Sequence, residues 1–478
     1  MTITSQSVTQ INSTTTLQQI LTTQKQAFVS APMPSAQQRV SMLKQLKSAL
    51  LNHQQMLIDA MAQDYGKRPA NDSLIGDILP CVMNINYTIK RLKKWMKPSR
   101  RHAGLLLSPA TVRVEYQPLG VIGIMVPWNF PVMLSIGPLI TALAAGNRAM
   151  LKLSEFTPHT NQAIIAMLTS VFSDDQVAIV EGEADVAAQF SALAFDHLIF
   201  TGSTAVGRHV MRAAAENLTP VTLELGGKSP AIVAPDMPIA TAVERLIFGK
   251  CLNAGQICIA PDYVFCPRNK IDEFVAEYKK QFVAMYGSKE QREDYGNIIN
   301  DAQHQRLLSW LDDAQTKGAT ITSANDLAVD KSSRNMATQL VTDTNDDMLL
   351  MQQEIFGPIL PILSYGELTD AVNYIANRPR PLALYIMSFD KAIQRYLLDN
   401  THSGGVCIND TIMHVAADDA PFGGVGESGM GHYHGREGFL TFSKAKTVLS
   451  RGRLNTGKLV FPPYGTWIQK LMIKIFIR

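Results

Sequence analysis

The chain begins with a polar run of Ser, Thr and Gln over residues 1–16, which reads as disordered or laid extended over a surface. From Leu17 to Lys97 the apolar positions recur at helical spacing. Residues 38–53 set Val40, Leu43, Leu46 and Leu50 on one face, with polar residues between them. A basic, irregular stretch follows at 97–103. Residues 111–116 then alternate as Thr, Val, Arg, Val, Glu, Tyr, which predicts an exposed strand suited to an antiparallel arm. After Pro118 the texture changes. GVIGIMV at 120–126 is a nearly continuous apolar strand, and a helix runs from about Val132 to Ala145, where Gly146 suits a stop. Further strands are expected at 149–153, 176–180 and 197–200, with helices at 160–171, 185–193 and 205–216. Apolar strands alternating with helices indicate a parallel sheet covered on both faces. The fold class is therefore α/β, with a Rossmann-type nucleotide-binding domain (1–97 and 119–220) and a second α/β domain (221–440). A small β arm (98–118 and 441–452, with a short strand near 447–449) and a tail (453–478) complete the division.

At 478 residues the chain is too long for a single core, which agrees with that division. Composition adds mostly exclusions. A formal charge of +3 over this length gives no footprint for nucleic acid. The N-terminus lacks the basic start and apolar run of a secretory signal, and no segment is apolar for long enough to span a membrane. The cysteines are Cys81, Cys251, Cys258, Cys266 and Cys407, an odd number with no CxxC pair. That argues against zinc and against a disulfide framework, so no metal site is expected, and a reducing, cytoplasmic compartment fits.

Four segments carry chemistry. Asn253-Ala254-Gly255-Gln256-Ile257-Cys258 follows an apolar helical run, and Gly255 permits a tight backbone that could aim the Cys258 amide at whatever the sulfur attacks. Glu224 lies in an apolar strand ending at Gly226-Gly227; partial desolvation would make it a general base, whereas the plainer reading is an ion pair with Lys228. Phe200-Thr201-Gly202-Ser203-Thr204-Ala205-Val206-Gly207 is a strand running through a Gly-bounded turn into a helix, which can face a phosphate or be an ordinary βα turn. Pro127-Trp128-Asn129-Phe130-Pro131 sits at the carboxyl end of a strand, where ligands bind in open α/β sheets. Asn129 could donate to an oxyanion there, or cap the next helix.

In this order and spacing the segments resemble the aldehyde dehydrogenase superfamily, from about residue 30 to 460. The resemblance rests on PWNFP at 127–131, LKLSE at 151–155, FTGSTAVG at 200–207, LELGGKSP at 223–230, NAGQIC at 253–258, EIFGP at 354–358 and PFGGVGESGMG at 421–431. APDY at 260–263 and HYHGREGF at 432–439 resemble the class 3 branch. FPPY at 461–464 and the KLSE variant resemble the bacterial coniferyl aldehyde dehydrogenases within it.

The resemblance implies NAD(P)-dependent oxidation of an aldehyde to its acid. Cys258 would be the nucleophile, forming a thiohemiacetal and then a thioester. Asn129 and the Cys258 amide would hold the oxyanion, and Glu224 would activate water. For the cofactor it implies Trp128, Lys152 and Glu155 (the last two at the adenosine ribose), Gly202, Ser203 and Gly207 at the pyrophosphate, Gly226 near the nicotinamide, and Glu354 on its ribose beside Phe356. Glu155 would repel a 2′-phosphate, so NAD is preferred and NADP is accommodated less well. Where many relatives carry Pro, this chain has Leu153, which bears on cofactor choice. The substrate expected is aromatic, such as coniferyl aldehyde, or a medium- or long-chain aliphatic aldehyde. A homodimer follows from the resemblance alone. As a helix, residues 467–478 place Lys470, Lys474 and Arg478 on one stripe, for weak contact with a membrane surface or packing within a dimer. The rival reading is a cofactor-independent cysteine esterase using the same Cys258, Asn129 and Glu224; the cofactor segments argue against it.

Overall fold

A computed structural model describes residues 14–288 and 293–477. Residues 1–13 of the expected run lie outside those residues; its last three, 14–16, are not extended but open a helix, Thr14–Ser30. That helix is tied down at its inner face: Leu17 and Leu21 are buried, and the Gln24 amide donates to the carbonyl of Ala149 at 2.8 Å.

The first sheet runs Gly429–Met430, Val221–Glu224, His197–Thr201, Val121–Met125, Arg148–Lys152, Val177–Val180. All its neighbours are parallel except the Gly429–Met430 edge. Taken in chain order, the parallel strands lie 3-2-1-4-5, the doubly wound order, whose switch point falls between Val121–Met125 and His197–Thr201. Val121–Met125 is buried at every position, as its unbroken apolar run requires. The helix Met133–Ala145 behind it is buried from Ser135 to its end and stops on Gly146 in the left-handed conformation.

Val221–Glu224 belongs to this sheet and not to the second α/β region, which opens instead at Pro230. Gly429–Met430, expected in that second region, also joins here. Apolar runs identify strands but do not say which sheet they enter. The second sheet has the order Thr320–Ser323, Gln339–Thr342, Ile359–Tyr365, Tyr263–Pro267, Pro230–Val233, Ala383–Met387, Gly405–Ile408. It is parallel apart from its first pair.

A separate antiparallel sheet joins Ser99–Arg101, Thr111–Pro118 and Ser443–Ser450. The last strand is longer than the expected 447–449 because its pairing, not its own weakly alternating sequence, defines it. The tail forms a helix, Trp467–Phe476, opened by a capping box from Thr466 and Gln469. Arg478 lies outside the described residues.

Candidate active site

The two large sheets meet with opposite ends. The first sheet presents the carboxyl ends of its strands, with Met125 in register with both Lys152 and Phe200, and Thr201 with Glu224. PWNFP, KLSE, TGSTAVG and ELGG therefore all emerge along one edge. The second sheet presents the amino ends: Gly226–Ser229 precede Pro230–Val233, Cys258 and Asp262 precede Tyr263–Pro267, and Glu354 and Phe356 precede Ile359–Tyr365. The site is the seam between them.

Cys258 lies just past the helix Ile239–Cys251, whose exit is sharply bent. Asn253, Ala254 and Gly255 all take positive φ, at 50°, 53° and 73°. A side chain on Gly255 would fall 2.7 Å from the Gly357 carbonyl, so the close approach of the EIFGP loop also demands glycine. This turn brings the Cys258 and Ile259 amides to the sulfur. Cys258 is partly exposed, while Cys251 and Cys266 are buried. Burial, then the neighbouring carboxyls of Glu354 and Glu224, push its thiol up to about 12. Without ligand, the sulfur is a protonated thiol at neutral pH.

Asn129 does not cap the following helix. Its side-chain amide donates to the Gln256 carbonyl at 3.1 Å, two residues before the cysteine, and leaves a second N–H on the same nitrogen. Gln256 in turn holds the carbonyls of Asn253 and Asn297 and accepts the Ile299 amide. The Asn129 turn and the cysteine turn are thus one hydrogen-bonded unit.

Glu224 does not pair with Lys228, which binds Asp262 and the carbonyl of Leu350 instead. Both Glu224 carboxyl oxygens are buried without a hydrogen-bond partner, and burial raises its pKa well above the usual carboxylate value. An unpartnered buried carboxyl is costly to keep, so it marks a place where something else is meant to bind.

The expected cofactor residues line the same seam. Lys152, buried at its strand end, pairs with Glu155 at 3.0 Å. The Leu153 amide donates to the Val180 carbonyl at 3.0 Å, extending the ladder by a bond that a proline there would lack. Ser203 caps the helix Thr204–Ala215, whose N-terminus opens toward the seam. Gly207 is buried against Leu225, where any side chain would collide at 2.7 Å. A Cβ on Gly226 would lie 2.1 Å from the Glu354 carboxylate, so Glu354 rests directly on that backbone. Burial and nearby Asp262 raise Glu354 to about 8. Trp128 meets Phe356 edge to face, with ring centroids 5.3 Å apart.

One set of residues escaped the sequence reading. Arg68 and Asp77 form a fully buried ion pair at 2.7 Å. Arg68 also donates to the Asn129 carbonyl at 3.1 Å, and Asp77 accepts the amides of Val132 and Met133 at 3.0 and 2.9 Å. Burial pushes the Asp77 carboxyl up, and the guanidinium and the two amides pull it back. Asp72 accepts the Asn253 amide at 3.2 Å. No motif joins positions 68 and 77; their pairing depends on a π-helical turn at Leu74–Ile78.

Comparison with known proteins gives the family. The model of the "Aldehyde dehydrogenase family" matches residues 4–448. A Pseudomonas aeruginosa protein named "Probable coniferyl aldehyde dehydrogenase" is 54% identical over 97% of this chain and 96% of its own. The mouse "Aldehyde dehydrogenase family 3 member A2" is 36% identical over 95% of this chain and 93% of its own. The structure titled "Substrate bound state of Staphylococcus Aureus AldH" superposes with a TM-score of 0.92 at 36% identity, covering 98% of this chain and all of that one. With the family model matching residues 4–448 and relatives aligned over 95–97% of its length, the chain belongs to the aldehyde dehydrogenase family, enzymes that oxidise aldehydes.

Proposed function

We propose that the protein oxidises an aromatic aldehyde of the coniferyl type to its carboxylic acid with NAD(P), through a covalent thioester on Cys258. The observation that carries the mechanism is the convergence on one seam of Cys258, the free N–H of Asn129 and the unpartnered Glu224. The names of the Pseudomonas relatives support the substrate class.

The Cys258 sulfur adds to the aldehyde carbon as its proton passes to solvent water, which the partly exposed residue can reach. Asn129 and the Cys258 amide donate to the oxygen as it becomes negative, and that charge is what makes the adduct a hydride donor. The chemistry NAD(P) supplies when bound is that of a hydride acceptor, which oxidation of the adduct to a thioester requires. The residues present fit that group. Glu354, seated on the bare backbone of Gly226, suits the nicotinamide ribose, and the Trp128–Phe356 ring pair suits the ring end of the same group. The capped helix start at Ser203, between Gly202 and Gly207, suits the pyrophosphate, and Lys152 with Glu155 suits the adenosine ribose. Phe156 and Val206, both large and exposed beside these groups, offer apolar faces for the adenine. Glu224, with no partner to give up, then takes a proton from the water that cleaves the thioester.

A homodimer is part of this reading. Trp467, Ile473 and Ile475 of the tail helix are more than half exposed on the single chain, and a second copy covers such a surface. Elution at monomer mass on gel filtration would remove that part.

The test is NADH absorbance with purified protein, NAD, and a panel of coniferyl aldehyde, benzaldehyde and aliphatic aldehydes of graded length, beside Cys258→Ala. Reduction by wild type alone, fastest with coniferyl aldehyde, is expected. A ranking led by long aliphatic aldehydes overturns the substrate class, and no reduction with any aldehyde overturns the activity.

A further inference from the structure

We infer that Arg68, held by Asp77, is a positioning residue that fixes the direction of the Asn129 amide; this rests on the reading of Asn129 as oxyanion donor. Asn129 stands in a turn between a strand and a helix, which would ordinarily flex. Here its carbonyl receives Arg68 Nη1 at 3.1 Å, Tyr65 Oη at 3.1 Å and Asn253 Nδ2 at 3.0 Å. The guanidinium lies between the rings of Tyr65 and Phe130, 5.0 and 5.1 Å from their centroids, so it also grips the residue after Asn129. From Arg68 the force path continues through Nη2 to Asp77, whose other oxygen accepts the amides of Val132 and Met133. One ionic couple therefore clamps the turn at its carbonyl end and at its amide end.

The side chain follows from the backbone. With the carbonyl of Asn129 held and one of its amide protons committed to the Gln256 carbonyl, the remaining N–H has a single direction. Arg68 and Asp77 are fully buried, and a buried ion pair gives little stability over apolar residues of the same volume. What it adds here is geometry: two donors in a rigid fork, one for each end of the clamp. Lysine has one ammonium and cannot hold both ends in that geometry.

The test is a double-mutant cycle on the full-length enzyme with Arg68→Lys and Asn129→Ala. kcat and KM for aldehyde oxidation are read alongside the cofactor dissociation constant and the alkylation rate of Cys258. Arg68→Lys should lower kcat by about 100-fold, as a displaced catalytic contact does, with cofactor affinity and Cys258 alkylation unchanged. In the Asn129→Ala background the same substitution should cost nothing more, because no amide remains to be aimed. Equal fold losses in both backgrounds, or an unchanged kcat in Arg68→Lys, overturn the proposal. Full activity in Asn129→Ala alone overturns the oxyanion reading beneath it, which is a separate outcome. If Arg68→Lys does not fold, Asp77→Asn, which keeps an acceptor for the 132 and 133 amides, goes through the same cycle and is judged by the same additivity.

Discussion

Asn129→Ala should separate catalysis from stability. The substitution removes one hydrogen bond, to the Gln256 carbonyl, and that carbonyl keeps a second donor in Asn253 at 3.4 Å. The Asn129 backbone, where Arg68, Tyr65 and Asn253 attach, is untouched. The folded state should therefore lose only about 1 kcal/mol, the usual net worth of one such bond, which in a chain of this size lowers Tm by a few degrees at most. The transition state loses an oxyanion donor, worth about 2.7–4 kcal/mol, or roughly 100- to 1,000-fold in kcat. Steady-state NADH formation and differential scanning calorimetry on the same preparation measure the two quantities. A rate close to wild type would refute the donor role. A Tm collapse matching the rate loss would refute the claim that the network is carried by the backbone.

Four further outcomes follow from the charges in the seam. Glu224→Gln should release about one equivalent of NADH per active site in a burst and then stall, since water activation is lost after acylation; a normal steady state would show that another group acts as base. The same variant tests linkage: burial raises the Glu224 pKa, so its stability contribution is complete below the unfolded carboxylate range and is lost as pH rises above it. Glu224→Gln should thus exceed wild type in Tm at pH 8 and converge with it at low pH, and parallel Tm curves would contradict the burial. Cys258 alkylation by iodoacetamide in the ligand-free enzyme should keep accelerating beyond the range where an ordinary thiol levels off, about 8.5, because the thiol is pushed up to about 12. A plateau near pH 8–9 would mean that a cationic group lies beside the sulfur in the free enzyme and would overturn this reading. Finally, Glu155→Gln should raise the NADP-to-NAD ratio of kcat/KM by about tenfold, ~1.4 kcal/mol; no change would remove Glu155 from cofactor choice.

Most of the fold could be read from pattern because its strands are buried runs and its helices have defined ends. Val121–Met125, Arg148–Lys152 and the Gly146 stop depend only on nearby residues, and they lie within a residue or so of expectation. Sheet membership could not be read that way. Val221–Glu224 and Gly429–Met430 join the first sheet through pairings with distant strands that local hydrophobicity does not encode. The site divides similarly. Cys258, Glu224 and Asn129 lie in compact motifs whose chemistry is visible residue by residue. Their supports are not: Arg68 and Asp77 look like ordinary surface charges on a helical stretch, and only the π turn carries Asp77 inward to the helix start at Met133. Lys228 misled for a related reason, since nearness in sequence suggested Glu224 while the fold gave it Asp262.

The central claim is that the substrate is carried as an acyl group on Cys258. Mass spectrometry of Glu224→Gln, mixed with NAD and coniferyl aldehyde and quenched in acid, tests it most directly. The account predicts a gain equal to the aldehyde minus two hydrogens, mapped to the peptide that contains Cys258 and absent without NAD. An unmodified Cys258 under conditions where wild type makes NADH, or the same adduct on Cys251 or another cysteine, would contradict it.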